Sequence, residues 1–113
     1  KLAECITRTK VEIIRSGLIA PLLGHVGDGN FHLVILIEPG NIAELEAANQ
    51  LSEAINLLAL ELGGTVTGEH GVGLGKIKYM HAEHGGAYGL MGRIKHSIDP
   101  QNLMNPGKLV NLT

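Results

Sequence analysis

The chain has 113 residues and a mass of 12.0 kDa, enough for one small domain and too little for a cofactor domain plus a substrate domain. With 44% hydrophobic and only 18% charged residues, disorder is excluded, and part of so apolar a surface is expected to be covered in use. A net charge of −2, nine Lys and Arg, and 3% aromatics give neither the basic stripe nor the stacking rings that nucleic-acid binding needs. The longest apolar runs, 33–37 and 55–60, fall far short of the ~20 residues of a membrane span, and no signal-peptide pattern is present. Cys5 is the single cysteine, which excludes an internal disulfide and a cysteine zinc ribbon and points to a buried structural thiol. A start at Lys1 rather than Met fits a processed product or a piece of a longer chain.

Residues 2–16 read as a helix, with Leu2, Ile6 and Ile13 at helical spacing and Gly17 at its end. The period then changes. Segments 18–25 and 31–38 are short apolar runs joined by Gly27-Asp28-Gly29-Asn30, the chemistry of a hairpin turn, with Pro21 near a strand start. Asn41 caps the next helix, with Glu44 placed as in a capping box. Leu51, Ile55, Leu58 and Leu62 form its buried stripe, and Gly63-Gly64 stops it. Thr65-Val66-Thr67 is β-branched and reads as a third strand, followed by a glycine-rich loop over 68–75. A last helix is expected over 87–98, ended by Asp99-Pro100, with an irregular tail beyond.

The order helix, strand, strand, helix, strand, helix is that of a ferredoxin-like α+β unit lacking its first strand, with an antiparallel sheet carrying helices on one face. The whole of 1–113 is read as a single domain. Because the missing strand lies inside such a sheet, its absence leaves backbone groups to be satisfied, by a homodimer of the chain or by rearrangement.

The sixteen glycines are about twice the usual ~7%, and several flank His25, His32 and His70. A four-residue loop over 27–30 pairs Val26 with Phe31 and His25 with His32, placing both imidazoles on one sheet face. Such a pair can share a metal, or serve as hydrogen-bonded edge residues. Gly68-Glu69-His70-Gly71 adds a carboxylate and a third imidazole, whose side chains are expected to diverge and do different jobs. Two His and one Glu make a catalytic zinc pattern that also suits manganese or ferrous iron, which leaves His70 as a base. The plainer reading is a polar capping pair in a loop. Gly71-Val72-Gly73-Leu74-Gly75-Lys76 lacks the spacing of a Walker A loop and the third glycine of a dinucleotide fingerprint. Asp28 and Asn30 lack the rest of a calcium loop. His81, His84 and His96 read as solvated surface residues.

Gly24-His25-Val26-Gly27-Asp28-Gly29-Asn30-Phe31-His32, Gly68-Glu69-His70-Gly71-Val72-Gly73, and Asp99-Pro100 through Met104-Asn105-Pro106-Gly107-Lys108 stand in an order that spans nearly the whole chain. Together they resemble the C-terminal domain of the FAD-linked 2-hydroxy-acid dehydrogenases of the vanillyl-alcohol oxidase superfamily. That group holds D-lactate dehydrogenase, the glycolate oxidase FAD subunit and D-2-hydroxyglutarate dehydrogenase. The resemblance implies that His25, His32 and Glu69 bind a divalent metal, zinc or manganese, and that His70 acts on a small 2-hydroxy-acid substrate. It also implies that Asn105, Pro106 and Gly107 lie close to the flavin. The FAD-binding domain of these enzymes lies N-terminal and is absent from this sequence, so the chain by itself is expected to be inactive. Val34 stands where the hydroxyglutarate enzymes have Asn, which points toward a D-lactate or glycolate type. The alternatives from other classes are a non-catalytic metal-binding or assembly module, and a metal-dependent hydrolase using the same ligands.

Overall fold

The computed structural model describes residues 1–110, which form two compact units, Lys1–Gly64 and a second beginning at Thr65. Among the described residues there are four helices and one two-stranded antiparallel sheet, so the expected α+β class is the class observed.

In the first unit, α1 (Leu2–Ser16) covers its expected span and ends at Gly17, whose φ of 70° is a cap conformation that glycine adopts without steric cost. α2 (Ile42–Glu61) opens at Asn41, whose side-chain oxygen accepts from the Glu44 N–H at 3.1 Å. The Glu44 carboxylate reaches beyond the expected capping box, accepting from the Glu38 N–H at 2.6 Å, while the Asn41 N–H donates to the Glu38 carbonyl at 3.0 Å. The two helices pack together. Leu51 and Leu58 are buried in the α2 stripe, with Ile55 and Leu62 half-buried beside them. On α1 the buried line runs through Cys5 and Thr9, one residue round from Ile6 and Ile13. Arg8 grips both carboxylate oxygens of Glu61 at 2.9 and 3.0 Å across the exposed rim. Burial pushes the Cys5 thiol up, only partly offset by the Thr9 side chain and the Arg8 charge, as suits an inert thiol.

β1 (Leu22–Leu23) and β2 (His32–Leu33) pair antiparallel, Leu22 opposite Leu33 and Leu23 opposite His32, and a bridge from Ile19 to Leu36 keeps the same register. The expected pairing of His25 with His32 and of Val26 with Phe31 is therefore corrected. The reason lies in the loop. Val26–Asp28 form a 3-10 turn, Gly29 takes a φ of 73°, and the His25 carbonyl accepts from both Asp28 N–H (2.9 Å) and Asn30 N–H (3.2 Å). Residues 24–31 thus leave the ladder and the strands are shorter than the apolar runs. At Gly24 the backbone meets itself: a Cβ there would lie 2.4 Å from the Asn30 carbonyl oxygen and from Phe31 Cα.

In the second unit, Thr65–Thr67 is not the expected third strand. Its backbone groups are taken by side chains. The Val66 N–H donates to Glu83 Oε2 at 3.1 Å, the Val66 carbonyl accepts from the Lys76 ammonium, and the Thr67 N–H donates to the Thr65 hydroxyl at 3.3 Å. Strand pairing needs those same groups. The glycine-rich stretch leads into a 3-10 turn, Ile77–Tyr79, then α3 (Met80–His84) and α4 (Gly86–Ile98). α4 starts one residue before its expected start, and α3 is a short helix in a stretch, 76–86, to which the sequence assigns no element. Val66, Tyr79, Met80 and Val110 are buried. No helix among the described residues is long and apolar enough to cross a membrane.

Gly24→Ala is expected to destabilise the fold by about 1–3 kcal/mol, since the new Cβ forces the hairpin apart. Gly27→Ala, with nothing within 4 Å of its Cβ, is expected to change stability by less than about 1 kcal/mol. Urea denaturation of the two variants side by side checks the difference, and equal midpoints would contradict the close approach.

Candidate functional site

The hairpin places the first two candidate ligands. With Leu23 opposite His32, the same register sets Gly24 against Phe31 and His25 against Asn30. His32 therefore faces Leu23 and not His25, which lies outside the ladder. His25 is exposed at the head of the 3-10 turn, and His32 is half-buried on β2.

Glu69 and His70 lie in the second unit. Although adjacent in sequence they turn toward each other, Glu69 Oε1 standing 3.4 Å from His70 Nε2, so the expected divergence is corrected. Side-chain alternation belongs to strands, and here the backbone is bent, with φ of 76° at Gly71 and 52° at Gly73. Both side chains are open to solvent, at 38% for Glu69 and 68% for His70. The loop is closed behind them by the Lys76 N–H donating to the Val72 carbonyl at 3.2 Å.

The tail is organised by Asp99, which the sequence reading used only as a helix stop. Its Oδ1 accepts from the Leu103 N–H at 2.9 Å and its Oδ2 from the Met104 N–H at 2.8 Å. Lys95, one turn earlier on α4, pairs with the same carboxylate and also donates to the Met104 carbonyl at 2.6 Å. Beyond this anchor Asn105 takes a φ of 47° and Gly107 one of 72°, and the Lys108 N–H donates to the Asn105 carbonyl at 3.2 Å, making Asn105-Pro106-Gly107 a tight turn. The Leu109 N–H then donates to the Gly73 carbonyl at 3.0 Å. The candidate flavin-facing turn is thereby tied to the loop that carries Glu69 and His70.

His81 and His96 are exposed as expected, while His84 is half-buried with Nε2 3.7 Å from Glu83 Oε1. Asp99, Lys76 and Glu83 are the residues that sequence reasoning missed. For Asp99 a signal existed, since an Asp ending a helix can accept from the N–H groups that follow it. For Lys76 and Glu83 no spacing rule points to Val66.

Comparison with known proteins finds that the family model described as FAD linked oxidases, C-terminal domain, matches residues 1–109. The mitochondrial D-lactate dehydrogenase (cytochrome) of Arabidopsis thaliana is 46% identical over 110 residues, covering 96% of this chain and 19% of that protein. The mitochondrial D-lactate dehydrogenase (cytochrome) 1 of Saccharomyces cerevisiae is 45% identical over 107 residues, covering 94% of this chain and 18% of that protein. Glycolate oxidase subunit GlcD of Bacillus subtilis is 41% identical over 87 residues, covering 76% of this chain and 18% of that protein. The chain spans about a fifth of the length of these relatives.

Lys95 beside it, and the Leu103 and Met104 amides, hold the Asp99 carboxyl down at about 2. A carboxylate depressed in the folded state stabilises above its ordinary range near 3.8 and loses that contribution as pH falls through the folded value. The tail anchor is therefore expected to persist from neutral pH to about 4 and to release between there and about 2. The Leu103 and Met104 amide resonances followed by NMR should titrate with a midpoint near 2 and show no such step in Asp99→Asn. A midpoint in the ordinary carboxylate range would contradict the anchor.

Proposed function

The chain belongs to the family of C-terminal domains of FAD-linked oxidases, and on that premise we propose that it is the substrate- and metal-binding part of a flavin-dependent dehydrogenase. Its reaction is the oxidation of a D-2-hydroxy acid, of the D-lactate type, to the 2-oxo acid. The observation that carries this reading is the meeting of Glu69 and His70 at 3.4 Å on a loop fastened to the Asn105-Pro106-Gly107 turn. The relatives named for D-lactate and for glycolate support a 2-hydroxy acid as substrate. Family membership favours this reading over the hydrolase and the non-catalytic module.

The donor set fits a divalent cation of zinc or manganese character, since two imidazoles and a carboxylate are ligands that both accept. His25, His32 and Glu69 would hold it, and a Lewis acid there would acidify a substrate hydroxyl. FAD, held mainly by a part of the protein outside this chain, would supply the hydride acceptor, and Asn105, Pro106 and Gly107 would line its site. His70 takes the hydroxyl proton on its imidazole. As the O–H electrons form the carbonyl, the C2–H pair departs as hydride, so the substrate loses one proton to His70 and two electrons with the other hydrogen. Glu69 lies against that imidazole and fixes its direction. Both units are read as parts of one C-terminal domain. In isolation the chain is inactive and forms a homodimer through its small sheet, whose Ile19, Leu23, Val34 and Leu36 are exposed.

Metal analysis by plasma mass spectrometry on the full-length protein is expected to give near-stoichiometric metal, lost in His25→Ala, His32→Ala and Glu69→Gln. The same preparations of His70→Ala should keep their metal while flavin reduction by D-lactate slows about 10²- to 10⁴-fold. A metal-free parent would remove the ligand set, and undiminished turnover in His70→Ala would remove that residue from the reaction. For the isolated chain, sedimentation over a range of concentrations should show a monomer–dimer equilibrium; monomer alone at every concentration rules the dimer out.

A further inference from the structure

Lys76 and Glu83 lie outside the residues that the proposed reaction uses, yet both are directed at the backbone of one residue, Val66. The Glu83 carboxylate accepts from the Val66 N–H at 3.1 Å, and the Lys76 ammonium donates to the Val66 carbonyl. The Val66 side chain between them is 4% exposed, and the Glu83 side chain 11%. Burial lowers the pKa of Lys76, and the Glu83 charge acts against that shift, so each charge is the other's compensation as well as a clamp on the backbone.

Lys76 also closes the far end of the same loop, its own N–H donating to the Val72 carbonyl at 3.2 Å. One residue therefore holds both ends of the segment 67–75, the backbone of Lys76 at one end and its ammonium at the other. Glu69 and His70 stand three and four residues beyond Val66, inside that closed segment. Apart from the Leu109 N–H on the Gly73 carbonyl, side-chain packing offers little to fix it, because Gly71, Gly73 and Gly75 have nothing within 4 Å of a Cβ position.

We propose that Lys76 and Glu83 are positioning residues for the Glu69–His70 loop, clamping the backbone of Val66 so that the imidazole and the carboxylate are held in reacting geometry. The inference rests on the role given to His70 above. Positioning of this kind affects the rate of the bound complex more than substrate affinity, because the clamp touches the loop backbone and not the substrate.

The test uses the full-length flavoprotein with Lys76→Met, Lys76→Arg and Glu83→Gln. Rapid-mixing measurement of flavin reduction by D-lactate, normalised to bound flavin, should show kcat down about 10- to 100-fold in Lys76→Met with KM changed less than about threefold. Lys76→Arg, which keeps a cationic donor, should recover most of the loss, and Glu83→Gln should fall between. Hydrogen exchange of 66–75, followed by mass spectrometry in the same proteins, should quicken in Lys76→Met and return toward the parent in Lys76→Arg. Faster exchange with an unchanged kcat would overturn the positioning role, and so would a loss in Lys76→Met that Arg does not restore. If Lys76→Met does not fold, Lys76→Arg and Glu83→Gln decide: parent-like exchange and kcat in Glu83→Gln would overturn the clamp. A parent enzyme that reduces its flavin with no 2-hydroxy acid would sink the functional reading instead, while the exchange data would still report on the clamp.

Discussion

Between Gly68 and Gly75 the chain has four glycines and few side chains able to pack, so apolar burial cannot hold this stretch in place. What holds it is polar: a carboxylate on the N–H and an ammonium on the carbonyl of Val66. Charges taken from water cost free energy unless each finds a partner, and here the peptide and the opposite charge serve both. The tail repeats the device. Asp99 receives two amides and Lys95, and Lys95 also reaches the Met104 carbonyl. The second unit is thus built around backbone groups satisfied by charged side chains, where a sheet would have used neighbouring strands.

The first unit depends on a different constraint. Its helices bury Leu51 and Leu58 of α2 with Cys5 and Thr9 of α1, a conventional apolar contact with a bidentate ion pair at the rim. Its hairpin is far smaller, and a lone two-stranded hairpin is at best marginally stable in water. The contact that sets its shape is the backbone crossing at Gly24, which no side chain larger than hydrogen allows. Exposed Ile19, Leu23 and Leu36 show that this hairpin presents apolar side chains on both of its strands, in keeping with a surface meant to be covered.

Sequence periodicity made the helices legible because burial on one face repeats every three to four residues, and Gly17 and Asn41 marked ends through local chemistry alone. α1 shows the limit of that reading: Thr9, fully buried, is polar and drops out of a hydrophobic count. The hairpin was recognisable but its register was not. A four-residue loop and the observed 3-10 turn use the same Gly-rich letters, and the choice falls to the His25 carbonyl taking two amides. Thr65–Thr67 has strand composition, and nothing in it announces that Glu83 and Lys76 will claim its backbone from 17 and 10 residues away. Of the site, the histidines and Glu69 were visible as motifs, while the residues that fasten them were not. Their contacts go to backbone atoms, which carry no identity in a sequence.

The proposed reacting groups and the fastening groups of the second unit differ in exposure. His70 is 68% exposed and Glu69 38%, whereas Asp99 and Glu83 retain 7% and 11% of side-chain exposure. In the proposed reaction a base must reach substrate and a cation ligand must reach its ion, so neither can be fixed by being buried. Geometry must then come from one step away, through a backbone whose own polar groups are locked. This division explains why a glycine-rich loop suits the task. Glycines let the backbone turn at Gly71 and Gly73, and the charged clamp at Val66, with the Leu109 N–H on the Gly73 carbonyl, restricts where the turn can go. Flexibility of composition and fixity of position are compatible here because they reside in different atoms: the first in absent side chains, the second in hydrogen-bonded peptides.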